Sequence, residues 1–281
     1  MITALNIEEK RQKGLLKLFS RLKSNRIRVE HRYCDAAAVK CITYEQYRRR
    51  VNWNSIDRFV KAQRNHLLCP ESLALPAESG YRRFCSTELS ERLCENAALT
   101  LLDMLRDRRV SVALCDDSGE RVGLCRYLLS GCDPLDVVTD VPEVYLDEAD
   151  RLMEDCGAVL RVHKSTEILA AADLIVAPGR LDTPLPCRKD ALILSGAEPT
   201  AEQPCTVIWQ YSYPLPQKYA EIKPAFLDEM YFASALYVMA RAHELGSFGF
   251  RLCSDGQVMH TPASLAALFR DSHDVHLDIT D

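Results

Sequence analysis

Several things are missing from this 281-residue chain, and each absence removes a class of function. No apolar run approaches the roughly 18 residues that a membrane-crossing helix needs, so no membrane span is expected. The first twenty residues carry Glu8, Glu9, Lys10, Arg11, Lys13 and Lys17, which leaves no uncharged apolar stretch for a secretion signal. None of the twelve cysteines forms a Cys-x-x-Cys pair, the spacing that reads as a metal or redox motif. In a chain without a signal they read as reduced, mostly buried small hydrophobes of a cytoplasmic protein. There is also no Gly-x-Ser-x-Gly elbow and no Gly-x-x-x-x-Gly-Lys phosphate loop, so the commonest hydrolase and nucleotide-hydrolysing sites are not written here.

What is present begins with length and charge. A chain of this size holds one large or two modest domains, each able to bury a core. The net charge of −5 hides an asymmetry: residues 1–66 balance to +10 and the remainder to −15. That split predicts two differently tasked parts, a basic N-terminal α+β domain with its linker over 1–85 and an α/β domain over 86–281.

Residues 4–24 have a helical pattern, with Leu15, Leu18, Phe19 and Leu22 as an apolar stripe among lysines and arginines. Such a helix suits a membrane surface or nucleic acid, but more often it docks by its apolar face. Arg26–Tyr33 alternates as a half-buried strand, with Ala36–Thr43 as its partner. Two short helices are expected next, Tyr44–Val51 and Ser55–Gln63, with Asn54 as a cap. Their Arg48, Arg49, Arg50, Arg58, Lys61 and Arg64 give residues 26–66 a basic face suited to nucleic acid or an acidic partner, in a helix-turn-helix whose second helix reads DNA. The turn lacks glycine, and Ile56, Phe59 and Val60 fit ordinary packing, so a basic surface without DNA reading is the plainer account.

After a Pro/Gly/Ser-punctuated linker, Thr87–Asp107 repeats leucine or alanine every fourth residue and reads as a helix. From Val110 onward six strand-length runs recur: 110–115, 135–139, 158–163, 173–178, 191–196 and 206–211. Glu120–Ser130, Pro142–Cys156 and Thr166–Ala172 lie between the first four as helices. This alternation predicts a doubly wound, mostly parallel six-stranded sheet covered on both faces. Phe226–Leu245 reads as a long apolar helix across it, ending at Gly246.

Six runs in this order resemble the Rossmann-like superfamily, especially the cofactor domains of shikimate-dehydrogenase-like enzymes. The resemblance covers about residues 86–245 and implies an NAD(P)- or nucleotide-binding crevice beyond the carboxyl ends of the strands. The family's Gly-x-Gly-x-x-Gly is absent. In its place stands Cys115-Asp116-Asp117-Ser118-Gly119-Glu120-Arg121-Val122-Gly123. Three carboxylates beside a pyrophosphate repel it: two like charges about 4 Å apart cost about 4 kcal/mol at an effective dielectric near 20. A bound Mg²⁺, or Arg121 folding over the turn, would relieve this; otherwise the turn suits hydroxyls, amines or a metal.

The ligand-binding candidates are therefore Asp116, Asp117, Ser118 and Gly119 in the first turn, and Thr139 and Asp140 after the second strand, where a carboxylate can hold a ribose diol. Lys164, Ser165, Gly179, Arg180, Ser195 and Gly196 join them at the later strand ends. Asp117-x-x-Glu120 and Asp140-x-x-Glu143 also have the spacing of capping boxes, a purely structural use. Cys115 sits beside carboxylates and is a poor nucleophile, and Cys187, before Arg188 and Lys189, is the better reactive thiol. His273 and His276 would fall on opposite faces of a strand, against a shared metal. The reading that follows is a non-enzymatic binding or regulatory protein with a degenerate Rossmann-like fold. The alternatives are an NAD(P)- or nucleotide-dependent oxidoreductase and a DNA-binding regulator acting through the basic N-terminal part.

Overall fold

The computed structural model describes residues 1–10, 24–77 and 79–274. The chain divides into two compact units, Met1–Ser86 with Pro214–Leu245, and Thr87–Tyr213 with Gly246–Asp281.

The first unit is built on a three-stranded sheet in the order β1-β3-β2, where β1 is Ile2–Glu9, β2 is Arg26–Cys34 and β3 is Ala37–Gln46. β3 pairs parallel with β1 and antiparallel with β2, the partner expected from the sequence. Residues 4–9 are thus strand, not helix. Ile2, Thr3, Ala4 and Leu5 are all buried, so the segment shows no alternation to read, and Leu5 donates its backbone N–H to the Leu68 carbonyl along its other edge. The apolar stripe from Leu15 to Leu22 lies outside the described residues.

The helix expected over Tyr44–Val51 is absent. Tyr44 continues β3, and its buried hydroxyl accepts from the Asn25 amide (2.6 Å) and the Asn52 backbone N–H (2.9 Å). Asn25 Oδ1 accepts the backbone N–H groups of Tyr47 and Arg48, holding them out of helical bonding. The α-helix that does form in this region is Trp53–Val60, capped by Asn52 and not by Asn54, with Ile56 and Val60 in the core beside Leu5, Ile42 and Tyr81. With its first helix gone, the helix-turn-helix reading falls. Arg48, Arg49 and Arg50 remain as exposed surface residues. The C-terminal apolar helix spans Glu229–Met239 and belongs to this unit. Tyr231 donates to the Phe84 carbonyl and Ser234 to that of Ser86, so the helix read from the sequence as part of the α/β domain bonds within this first unit.

The second unit carries a six-stranded sheet of β4 (Val112–Cys115), β5 (Leu135–Val138), β6 (Leu160–His163), β7 (Leu174–Ala177), β8 (Leu192–Ser195) and β9 (Thr206–Ile208). All pairings are parallel, in the order β6-β5-β4-β7-β8-β9. This is the Rossmann-like, doubly wound α/β arrangement, with the order reversing between β4 and β7. The last expected run, 206–211, breaks at Trp209: β10 (Gln210–Ser212) leaves to pair antiparallel with β11 (Leu252–Ser254), which pairs with β12 (Met259–His260).

The helix Glu88–Met104 buries Leu89, Leu93, Ala97 and Leu101, its four-residue repeat. Pro142–Cys156 starts on its proline and stops at Gly157, which takes a left-handed φ of 70°. Over Ala113, Val138, Ile175 and Ile193 the sheet is covered more thinly, by Leu169 and Ala172 at the 3₁₀-helix Thr166–Ala171 and by loop residues Leu181, Leu185, Cys187 and Cys205. No helix among the described residues is long and apolar enough to cross a membrane.

Replacing the Tyr44 hydroxyl strands two buried or half-buried donors. Tyr44→Phe is expected to lower unfolding free energy by about 1–3 kcal/mol in urea titrations, while Tyr33→Phe, at an exposed position, leaves it unchanged. Equal stability of the two variants would contradict this account of the 44–52 turn.

Candidate functional site

A cleft of about 280 Å³ opens at the carboxyl ends of β4 and β7, where the strand order reverses. On one side stand Cys115, Asp116, Asp117, Ser118, Glu120 and Arg121; on the other, Ala177, Pro178, Gly179, Arg180 and Leu181; Glu91 reaches in from the helix Glu88–Met104. Open parallel sheets bind their ligands at this place, because two neighbouring loops there turn in opposite directions and leave a gap.

The first turn is organised by Asp116. Its carboxylate is 8 % exposed and accepts four hydrogen bonds. Oδ1 takes the Ser118 hydroxyl (2.8 Å) and Ser118 N–H (3.2 Å); Oδ2 takes the Arg121 N–H (2.8 Å) and the Tyr145 hydroxyl (2.6 Å). Burial alone would raise its pKa, yet the bonds from Tyr145, the Arg121 amide and Ser118 outweigh this and hold it below 3.8. Tyr145 is fully buried on the helix Pro142–Cys156, so one carboxylate ties the turn after β4 to the helix after β5.

This changes the roles read from the sequence. Asp117 and Glu120 form no capping box: the helix Val122–Leu128 has no side-chain cap, and the Ser118 and Arg121 amides of the turn go to Asp116. Asp140 is not a cap either. The Val141 N–H is taken by Thr139 Oγ1 (3.1 Å), which leaves the Asp140 carboxylate exposed and without a hydrogen bond among the described residues. Gly119 serves packing: with φ at +77°, a Cβ there would come within 2.9 Å of Val141 Cγ2. Arg121 does not fold over the turn as a phosphate ligand. Its guanidinium is held by Glu91 (2.6 Å) and Glu95 (3.1 Å), the latter only 3 % exposed.

The cleft thus brings together Asp116, Asp117, Ser118, Gly179 and Arg180 of the expected residues. Asp140 lies near enough that its charge, after burial, raises the pKa of Asp117. Arg180 is exposed and pairs with Asp182 at 3.0 Å. Ser165 caps the 3₁₀-helix through Glu167 N–H, and Lys164 is exposed; neither lines the cleft. Ser195 is buried and donates to the Ala197 carbonyl (2.8 Å). Gly196 lets the chain pass the Pro178 carbonyl and Glu91, whose Cα would be 2.7 Å from an added Cβ. Glu91 and Tyr145 escaped the sequence reading, since one passes for a charge at a helix start and the other for an ordinary helix residue. Burial pushes the Cys115 thiol up to about 12, with Asp117 and Cys187 adding to it, so it stays protonated and unreactive.

A pyrophosphate does not fit this turn. The Ser118 and Arg121 amides belong to the turn before a helix, the place where this fold cradles dinucleotide phosphates, and they are already bonded to an internal anion. The cleft adds Asp117 and Glu120, while the turn's own cation, Arg121, is already paired.

No protein-family model and no curated protein matches the sequence. Among solved structures, a probable ornithine cyclodeaminase from Bordetella pertussis Tohama I is 23% identical over 43% of this chain and 41% of its own, with a TM-score of 0.28. The L-tryptophan dehydrogenase from Nostoc punctiforme is 11% identical over 83% of this chain and 76% of its own, with a TM-score of 0.29. Scores this low carry no argument about activity. The Rossmann-like architecture rests on the strand order itself.

The two neighbouring aspartates should respond oppositely to pH. Asp116, with its pKa depressed, contributes stability that is present above pH 3.8 and is lost as pH falls through its folded value. Asp117, with its pKa raised, penalises the fold once ionised, and the penalty disappears as pH falls below 3.8. At pH 7 Asp116→Asn is expected to cost about 3 kcal/mol, because the amide donates where the turn needs an acceptor. Asp117→Asn is expected to stabilise at pH 7 and to converge on wild type in acid. Urea titrations at several pH values decide, and stabilisation by Asp116→Asn would contradict the assignment. Gly196→Ala should also destabilise, by about 1–3 kcal/mol, while Gly179→Ala, with open space around its Cα, should not.

Proposed function

We propose that the second unit is a small-molecule binding module with a Rossmann-like cleft that takes a polar, hydroxyl- or amine-bearing ligand without a phosphate at the first turn. A nucleoside is the ligand class that fits best, with its sugar diol on Asp140 and its body in the cleft between the 115–121 and 177–181 loops. The observation that carries this reading is the bonding of the Ser118 and Arg121 amides to Asp116, which removes the phosphate cradle and keeps the rest of the crevice. Exposed Asp140 and Asp117 accept from hydroxyls or attract an amine. The role is binding or regulation: among the residues that line the cleft no nucleophile has an adjacent free base, and Cys115 is held protonated. Its setting is the cytoplasm, in keeping with twelve cysteines that all stand as free thiols.

The second reading is the oxidoreductase that a shikimate-dehydrogenase-like resemblance implies, with NAD(P) as cofactor. Its support is the strand order and the position of Asp140, uncapped at the end of the second strand of the sheet, where a ribose diol is held in dinucleotide sites.

Thermal-shift titrations with adenosine, other nucleosides, polyamines, NAD⁺ and NADP⁺ separate the two. A ligand at about 100 times its Kd stabilises by about 2.7 kcal/mol, well within detection. A nucleoside or amine is expected to stabilise the wild type, and Asp140→Asn is expected to abolish the effect, with NAD⁺ and NADP⁺ no better than their nucleoside part. Stabilisation by NAD⁺ or NADP⁺ where nucleosides do nothing would overturn the proposal in favour of the oxidoreductase.

A further inference from the structure

The sulfurs of Cys187 and Cys205 lie 3.4 Å apart in a thiol–thiol hydrogen bond, 18 residues apart in sequence. Both are half-buried, so a small reagent can reach them, and both pack against the thinly covered face of the parallel sheet. They sit on two loops that side-chain and backbone bonds already zip together. Thr200 N–H donates to the Leu181 carbonyl (3.0 Å), Thr200 Oγ1 to Asp182 (2.8 Å), and Gln203 bridges the Thr183 carbonyl (3.0 Å) and the Leu185 N–H (2.9 Å). The first of these loops begins as the wall of the cleft, Pro178 to Leu181.

We infer that Cys187 and Cys205 form a thiol–disulfide modification site, oxidised by small disulfides of the glutathione type, that staples the two loops together. A sulfur–sulfur bond needs a separation of about 2.05 Å, and two side chains already in van der Waals contact reach it by small rotations about their Cα–Cβ bonds. Cys187 is the attacking thiol, with Lys189 two residues on and Arg188 between them already paired with Asp173 and Asp190. Cys205 is the resolving thiol, its pKa raised by burial and by Cys187. The Cys187 thiolate attacks one sulfur of the oxidised disulfide, and one glutathione thiolate leaves. Cys205 gives up its proton and attacks Cys187 of the mixed disulfide, and the second glutathione leaves. Two protein thiols lose two protons and two electrons, which the glutathione disulfide takes up to become two thiols. Because the site lies behind the cleft wall, oxidation stiffens that wall whatever ligand the cleft takes.

The full-length protein is incubated with a graded ratio of oxidised to reduced glutathione, quenched in acid and examined by intact mass and non-reducing peptide mapping. The expected wild-type product has lost two hydrogens and carries a Cys187–Cys205 cross-linked peptide, with a higher Tm that dithiothreitol reverses. Exposed Cys85 and Cys156, which have no such partner, report ordinary glutathionylation in the same sample. In Cys205→Ser a stable glutathione adduct on Cys187 is expected to accumulate, and in Cys187→Ser neither cross-link nor adduct at Cys205. The proposal is overturned if, where Cys85 and Cys156 are modified, wild-type Cys187 and Cys205 remain thiols, carry separate adducts, or cross-link to other cysteines. The wild-type peptide map decides between these outcomes even if a variant fails to fold.

Discussion

The Asp116 carboxylate is the constraint on which the rest of the site depends. A carboxylate at the end of a buried strand is costly unless its lone pairs are satisfied, and here four donors satisfy them. Two of those donors are the turn's own amides and one is a tyrosine hydroxyl from the neighbouring helix. The turn is thereby closed on itself and anchored to the helix Pro142–Cys156, with Gly119 pressed against Val141 to complete the contact. In the usual form of this architecture, the same amides wait for an anion from solution. In this chain the anion is covalently supplied.

That single substitution of partner sets the chemistry of the cleft. Arg121, which would neutralise a phosphate, is instead recruited by Glu91 and Glu95, and the pair sits largely out of water. The charges left at the opening belong to Asp117 and Glu120, to Arg180, which is paired with Asp182, and, at its edge, to Asp140, the balance on which the proposed preference for hydroxyls and amines rests. Its far wall begins the loop that carries Cys187, whose sulfur touches that of Cys205, the pair proposed as a thiol–disulfide site.

Much of the parallel sheet was legible in the sequence because its inner strands are buried on both faces. Runs such as 173–178 and 191–196 have no alternation, and only a central strand of a covered sheet tolerates that. The same property hid β1, whose buried Ile2–Leu5 offers no alternation while the lysines after it suggest a helix. Spacing rules also assigned side-chain caps that neither helix has. Asp117 and Asp140 have the right interval to a glutamate, but backbone angles put Asp116 and Thr139 within reach of the amides, and spacing carries no information on those angles. The Tyr44–Val51 helix failed for a long-range reason. Asn25, some twenty residues upstream, accepts the N–H groups that a helix would have used.

The central claim is that Asp116 occupies the anion site of the turn, and the amide signals of Ser118 and Arg121 in ¹⁵N-edited NMR report on it directly. The account predicts that both amide protons shift together in acid with a midpoint below 3.8, following protonation of Asp116, and that neither moves when NAD⁺ or pyrophosphate is added at neutral pH. Saturable shifts of both amides on adding pyrophosphate or NAD⁺ to the wild type would contradict it.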